Sequence, residues 1–139
     1  MALERTFAIV KSNAVQDGHI GDILGGIERA GFAFRGLRMV RLSPEVVQGF
    51  YAEHVHKAFY PELEAFMTEG PVVLMVLEAE NAIQRWRELM GATDPAKAAE
   101  GTLRRQFGEN VGRNAVHGSD APATAEREIH YFFSAFDLV

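Results

Sequence analysis

The run Asn114-Ala115-Val116-His117-Gly118-Ser119-Asp120 holds the residue best suited to chemistry. It sets His117 in a short stretch of small and polar residues with a glycine directly after it, so the ring reads as loop-borne and accessible. A neutral imidazole is a competent nucleophile, and its ordinary pKa of about 6.5 leaves it mostly unprotonated near neutral pH. Arg104, Arg105 and Arg113 precede it, and Glu128 follows. Guanidinium forks suit phosphate oxygens. A carboxylate folded back beneath the ring would fix its tautomer and stabilise positive charge on it, with Ser119 able to bridge the two. A nucleophilic nitrogen, cationic side chains and an orienting acid are the parts of a phosphoryl-transfer site. Lys11, Arg87 and Thr93 are further candidates for holding phosphate, Phe59 or Tyr60 for stacking a base, and Tyr51 for a hydroxyl contact. Taken one at a time, each arginine reads first as a solvated surface charge, His117 as an ordinary surface histidine, and at least one of Phe59 and Tyr60 as core.

Other chemistries are less well supplied. Neither GxxxxGK[ST] nor GxGxxG occurs, so side chains rather than a glycine-rich loop must hold any phosphate. The absence of cysteine removes disulfides and thiolate chemistry. His54 and His56 stand two apart with no evident third ligand, a poor basis for zinc, while His19 and His130 read as helix-start and strand residues. A net charge of −5 argues against a nucleic-acid protein bound through a general basic field. No apolar run reaches the roughly 18 residues of a membrane-spanning helix, and the N-terminus lacks the pattern of a signal peptide, so a cytoplasmic protein is expected. Its 139 residues suggest one domain, spanning 1–139.

The elements that must position these residues can be read from periodicity. Thr6–Val10 reads as a buried strand, and the helical spacing of Ile20, Ile23, Leu24, Ile27 and Ala30 predicts a helix stopped by Gly31. Phe32–Leu42 reads as a second strand. Ser43-Pro44-Glu45 is a helix start, with the helix expected to reach about His54. A short helix over Pro61–Met67, a buried strand over Val72–Leu77 and an amphipathic helix from Ala79 to Met90 follow. Ala92–Gly112 reads as a long, functional loop, Ala121–Arg127 as a short helix and Ile129–Phe133 as a fourth strand. This order predicts an α/β sandwich of ferredoxin-like type, a four-stranded, mainly antiparallel sheet covered by helices.

Six blocks together carry a resemblance. They are Thr6-Phe7-Ala8-Ile9-Val10-Lys11, Phe50-Tyr51-Ala52-Glu53-His54, Met67-Thr68-Glu69-Gly70-Pro71-Val72-Val73, Arg87-Glu88-Leu89-Met90-Gly91-Ala92-Thr93, Gly101-Thr102-Leu103-Arg104 and the histidine block. In content and order they resemble the nucleoside diphosphate kinases across essentially the whole chain. The resemblance implies ping-pong transfer of the γ-phosphoryl of a nucleoside triphosphate, through Nδ1 of His117, to a nucleoside or deoxynucleoside diphosphate. It implies that Ser119 and Glu128 orient His117, and that Arg87, Thr93 and Arg104 hold the β and γ phosphates. Lys11, Tyr51 and Asn114 would lie near the ribose hydroxyls and the transferred group, with Phe59 and Val111 enclosing the base. Such contacts do not distinguish bases, so broad specificity is expected. Magnesium is implied as the cofactor, riding on the nucleotide phosphates with no protein metal site. The family assembles as tetramers or hexamers from a common dimer. Pro95 lies in a segment resembling the subunit-contact loop, and the short chain after the last expected strand favours the homotetramer.

The sequence departs from the family pattern beside two of these positions. Ser12 follows Lys11 where proline is usual, which removes a fixed φ and predicts a looser loop. Arg105 and Gln106 follow Arg104 where a small residue and an acid are usual, which predicts a more basic phosphate side. These departures are the ground for an alternative, a nucleotide-binding regulatory protein of the same fold with weak turnover. A structural or interaction domain is a third reading.

Overall fold

The computed structural model describes residues 2–139. Strands β1 (Leu3–Val10), β2 (Ala33–Val40), β3 (Val72–Glu80) and β4 (Val116–Gly118) form one sheet in the order β2-β3-β1-β4. Every neighbouring pair is antiparallel. The helices are α1 (Ser12–Gln16), α2 (Ile20–Arg29), α3 (Pro44–Phe50), α4 (Tyr60–Thr68), α5 (Ala82–Met90), α6 (Leu103–Phe107) and α7 (Pro122–Phe132). This is the ferredoxin-like α/β sandwich expected from the element order.

The two-residue repeat of the central strands divides the core into two layers. Ala8 and Val10 of β1, with Val73, Met75 and Leu77 of β3, face Ile23 and Ile27 of α2 and Trp86 and Met90 of α5. Phe7 and Ile9, with Val72, Leu74 and Val76, face Val47 and Phe50 of α3, Phe66 and Met67 of α4, and Ile129 of α7. A strand covered on both faces loses the apolar–polar alternation, which is why β1 and β3 read as continuous apolar runs.

Several expectations about local structure need correction. His117 is not in a loop: it is the middle residue of β4, opposite Ile9. The fourth strand is therefore Val116–Gly118, and Ile129–Phe133 is not a strand. Ala125, Glu128, Ile129 and the partly buried Phe132 recur at i, i+3, i+4 and i+7 on one inward face, so helix α7 runs through to Phe132 and carries the exposed His130. A short run of apolar and aromatic residues cannot be divided between helix and strand by composition alone. The helix begun at Ser43 ends at Phe50 and passes into a 3₁₀ turn over Ala52–His54. The strand β3 continues to Glu80, so α5 starts at Ala82 rather than Ala79. The stretch 92–112 is not all loop: it contains a 3₁₀ turn, Pro95–Lys97, and α6, whose N-cap Thr102 accepts from the Arg105 amide.

Close packing holds the short β4. Trp86 is fully buried, and its Nε1–H donates to the carbonyl of His117 at 3.2 Å. A Cβ on Gly118 would lie 2.5 Å from Trp86 Cδ1 and 2.7 Å from Met90 Cε. Only glycine lets the strand approach α5 so closely. Gly118→Ala is expected to cost about 1–3 kcal/mol of folding stability through overpacking, measured as a lower denaturant midpoint. An unchanged midpoint would show that Trp86 has room to move.

Candidate active site

The imidazole of His117 is mostly buried, and its Nε2 lies 3.0 Å from Oε1 of Glu128. The same carboxylate oxygen accepts from the hydroxyl of Ser119 at 2.7 Å. Glu128 and Ser119 are both buried, so this acid has little water to compete with its partners. The acceptor at Nε2 selects the tautomer with hydrogen on Nε2, which leaves the lone pair on Nδ1. Rings of Phe7, Phe50 and Tyr51 stand edge-on around the imidazole, with centroids 6.1, 5.6 and 6.3 Å away. Strand pairing fixes the backbone of His117, and the second turn of α7 brings Glu128 beneath its ring.

Two cavities meet at this histidine. The smaller, about 280 Å³, is lined by Arg87, Thr93, Arg104, His117, Gly118 and Asp120 among others. The larger, about 670 Å³, is lined by Lys11, Tyr51, Phe59, Val111 and Asn114, and shares Thr93, Arg104 and His117 with the first. Phe59 and Val111 are about half exposed, with apolar surface available for stacking. The eleven residues to which the resemblance gives roles thus converge. Nine line the joined cleft, and Ser119 and Glu128 stand behind the histidine.

Charge in the cleft is arranged for an anion. Lys11, at the end of β1, is buried and donates from Nζ to Asn114 Oδ1 at 2.9 Å. Burial, and then the neighbouring Arg104 charge, lower its ammonium pKa to about 7. Arg104 donates to the carbonyls of Gly91 and Val116 at 3.0 and 3.1 Å, and its Nε is buried without a protein partner. Burial, then Arg87, bring its pKa down to about 10, with Asp120 opposing. Arg87 is held by Asp120 at 2.6 Å in an exposed ion pair. Phosphate oxygens entering here would relieve cations crowded together in a partly dry site. Burial, then Glu128 and Tyr60, push the Tyr51 hydroxyl well above its ordinary pKa, so it stays a neutral donor.

Backbone strain lies beside the histidine. Ala115 has φ of 75°, a left-handed conformation uncommon for a residue with a side chain. Its N–H donates to Asn13 Oδ1 at 3.2 Å, and its carbonyl accepts from the Lys11 amide at 2.7 Å. Asn13, the residue after Ser12, therefore pins the turn that leads Asn114 into β4.

The departures from the family pattern have local explanations. Ser12 does not leave a loose loop. It is fully buried at the start of α1, and its hydroxyl reaches the carbonyl of Phe66 at 2.9 Å. Arg105 and Gln106 do not line the cleft. They donate to the carbonyls of Ala96 and Gly101 and brace the segment before α6. Sequence reasoning passed over Leu63, Phe66, Glu69 and Asp120 as cleft residues. The stripe Phe59, Leu63, Phe66 has helical spacing and carried that signal for α4.

The family model for nucleoside diphosphate kinase matches residues 4–138. A nucleoside diphosphate kinase of Syntrophotalea carbinolica is 53% identical over 137 residues, covering 99% of this chain and 100% of that one. The enzyme of Halorhodospira halophila is 52% identical over 138 residues, with 99% and 98% covered. The solved structure of the Aquifex aeolicus nucleoside diphosphate kinase superposes with a TM-score of 0.96 at 44% identity, covering 99% of this chain and 100% of that one. A halophilic nucleoside diphosphate kinase from Halobacterium salinarum, solved in complex with CDP, gives 0.95 at 44% identity, with 99% and 92% covered. Sequence and backbone agree with these proteins from one end of the sheet to the other, and the chain belongs to the nucleoside diphosphate kinase family, as an enzyme that phosphorylates nucleoside diphosphates.

Proposed function

We propose that His117 carries the phosphoryl group between the two nucleotides. The observation that supports this is the Glu128 oxygen shared by Ser119 and His117 Nε2, which presents Nδ1 to the cleft as the free nucleophile. In the first half-reaction Nδ1 attacks the γ-phosphorus of the triphosphate. The Nδ1–P bond forms, the bond from phosphorus to the β–γ bridging oxygen breaks, and the nucleoside diphosphate leaves with that electron pair. Glu128 stabilises the positive charge that the ring gains. In the second half-reaction a terminal β-phosphate oxygen of another nucleoside diphosphate attacks the phosphorus and the N–P bond breaks. Positioning and charge neutralisation supply most of the rate in such transfers. Arg87, Thr93 and Arg104 hold the phosphates, Lys11, Tyr51 and Asn114 contact the ribose hydroxyls and the transferred group, and Phe59 and Val111 enclose the base.

Among the described residues no three His, Asp or Glu side chains converge on a metal position. The cleft instead offers Lys11, Arg87 and Arg104. This donor set fits a magnesium ion carried by the nucleotide's own phosphates, where it neutralises their charge. Residues 1–139 act as one domain, in the cytoplasm where nucleotides are interconverted. Leu37 and Met39 on the edge strand β2, and Phe136, are exposed apolar groups that support self-association, with a homotetramer as the expected assembly rather than a hexamer. Sedimentation tests this. No observation favours a regulator with weak turnover, because Ser12, Arg105 and Gln106 are all tied down by hydrogen bonds. Incubation with ATP and magnesium should give an acid-labile phosphoryl-enzyme that discharges to GDP. A protein that takes up no phosphoryl group defeats the reading.

Lys11 gives the site a pH signature. A bound phosphate favours the ammonium, so binding raises its pKa from about 7 and draws in a proton. ADP binding near pH 8 is expected to take up a fraction of a proton, read by calorimetry in buffers of different ionisation enthalpy, and Lys11→Met should abolish it. Equal heats in all buffers would place the nucleotide away from Lys11. The folding consequence has the opposite sense to that of a stabilised lysine. The folded value lies below the unfolded value of 10.5, so the unfolded chain binds more protons between about pH 7 and 10.5, and this group's contribution to stability rises with pH there.

A further inference from the structure

Ser12, the residue after the cleft residue Lys11, is fully buried and has partners far away in the chain. Its hydroxyl lies 2.9 Å from the Phe66 carbonyl and 3.2 Å from Glu69 Oε1, so the two acceptors share one proton. Phe66 lies in the last turn of α4, where its carbonyl also accepts from the Glu69 amide at 3.4 Å. The same Glu69 oxygen is 2.9 Å from Nη2 of Arg113, whose guanidinium stands 4.7 Å over the Phe66 ring. Arg113 also meets Glu109 at 3.0 Å, within its own loop. Phe66, Glu69 and Arg113 all line the larger cavity, one side of which carries Phe59 at the start of α4 and the other Val111. The network therefore runs from one wall of the base site to the other, through the residue that follows Lys11.

We propose that Ser12, Glu69 and Arg113 form a positioning network that sets the separation of the two base-enclosing walls and ties it to Lys11, and so governs nucleotide affinity rather than the transfer step. This rests on the assignment of Phe59 and Val111 to the base. Without the Ser12 hydroxyl, neither the Phe66 carbonyl nor Glu69 would be tied by a side chain to the residue after Lys11. Phosphate contacts and the His117–Glu128 pair lie outside the network.

The test separates nucleotide binding from chemistry. Ser12→Ala and Arg113→Lys should each raise KM for ATP and for ADP by about three- to tenfold, the scale of one lost hydrogen bond, with kcat within about twofold. Phosphorylation of the enzyme by phosphoramidate, which has no base to enclose, should proceed at the wild-type rate in both. Ser12→Ala alters a buried position. Arg113→Lys alters a side chain that is one-third exposed and keeps its charge, so it carries the test if the first variant fails to fold. Unchanged KM values overturn the proposal, and so does an equal loss with ATP and phosphoramidate, which would mean a general weakening of the fold. Wild-type enzyme that ATP cannot label would instead overturn the proposed phosphoryl transfer through His117, a result distinct from either of these.

Discussion

His117→Ala is expected to abolish phosphoryl uptake from ATP and to lower turnover by about 10⁴-fold or more, as loss of a covalent nucleophile does elsewhere. The size follows from the geometry. Among the described residues no other imidazole lies on a buried carboxylate: His19 faces an exposed Asp22 at 3.6 Å, and His54 has its Nδ1 buried without a partner. Nucleotide binding should survive, because the stacking surface and the phosphate cations come from other elements. The alanine variant should therefore bind ADP with nearly wild-type affinity while remaining unlabelled. Labelling of the variant at the wild-type level would falsify His117 as the nucleophile. The fold should persist, since the strand pairing of β4 uses backbone atoms and the Trp86 bond goes to the His117 carbonyl.

Glu128→Gln should be the next most damaging change, with kcat lower by about 10²- to 10⁴-fold and KM nearly unchanged. The glutamine keeps the shape of the side chain but has no charge to balance the imidazolium. Its amide can also present N–H to the ring, which then places the hydrogen on Nδ1, the nitrogen that must attack. Ser119 still donates to the remaining oxygen and favours the better orientation, so the loss stays below that of removing the nucleophile. Wild-type kcat in this variant would mean that strand and aromatic packing alone orient the ring. A rise in KM that matched the fall in kcat would instead place Glu128 in nucleotide binding.

The residues that gather in the cleft are easier to read from the sequence than the elements that deliver them. His117, Glu128, Arg104 and Lys11 announce themselves by residue type, and the blocks around them carry the family. What periodicity could not resolve was short structure. A three-residue strand, Val116–Gly118, has too little length to show alternation. Ile129–Phe133 presented the composition of a strand, and only its register with Ala125 and Glu128 reveals the helix that puts the carboxylate under the ring. The roles of Ser12, Glu69 and Asp120 depend on partners far away in the chain. Phe66 and Glu69 stand 54 and 57 residues from Ser12, and Arg87 stands 33 from Asp120. No local pattern announces such pairs.

The pairing of β1 with β4 also bears on how the enzyme comes into being. Lys11 and Asn114 bond across 103 residues of chain, and Ile9 faces His117 in the same ladder. Non-local contacts of this kind carry a loop-closure penalty that local helices do not. The helical signal of a refolding chain should therefore recover before its ability to accept phosphate. A nascent chain still lacking its last quarter has most of the sheet but neither His117 nor Glu128. Competence arrives as an end-game event, with His117, the proposed nucleophile, entering on the final strand of its own scaffold.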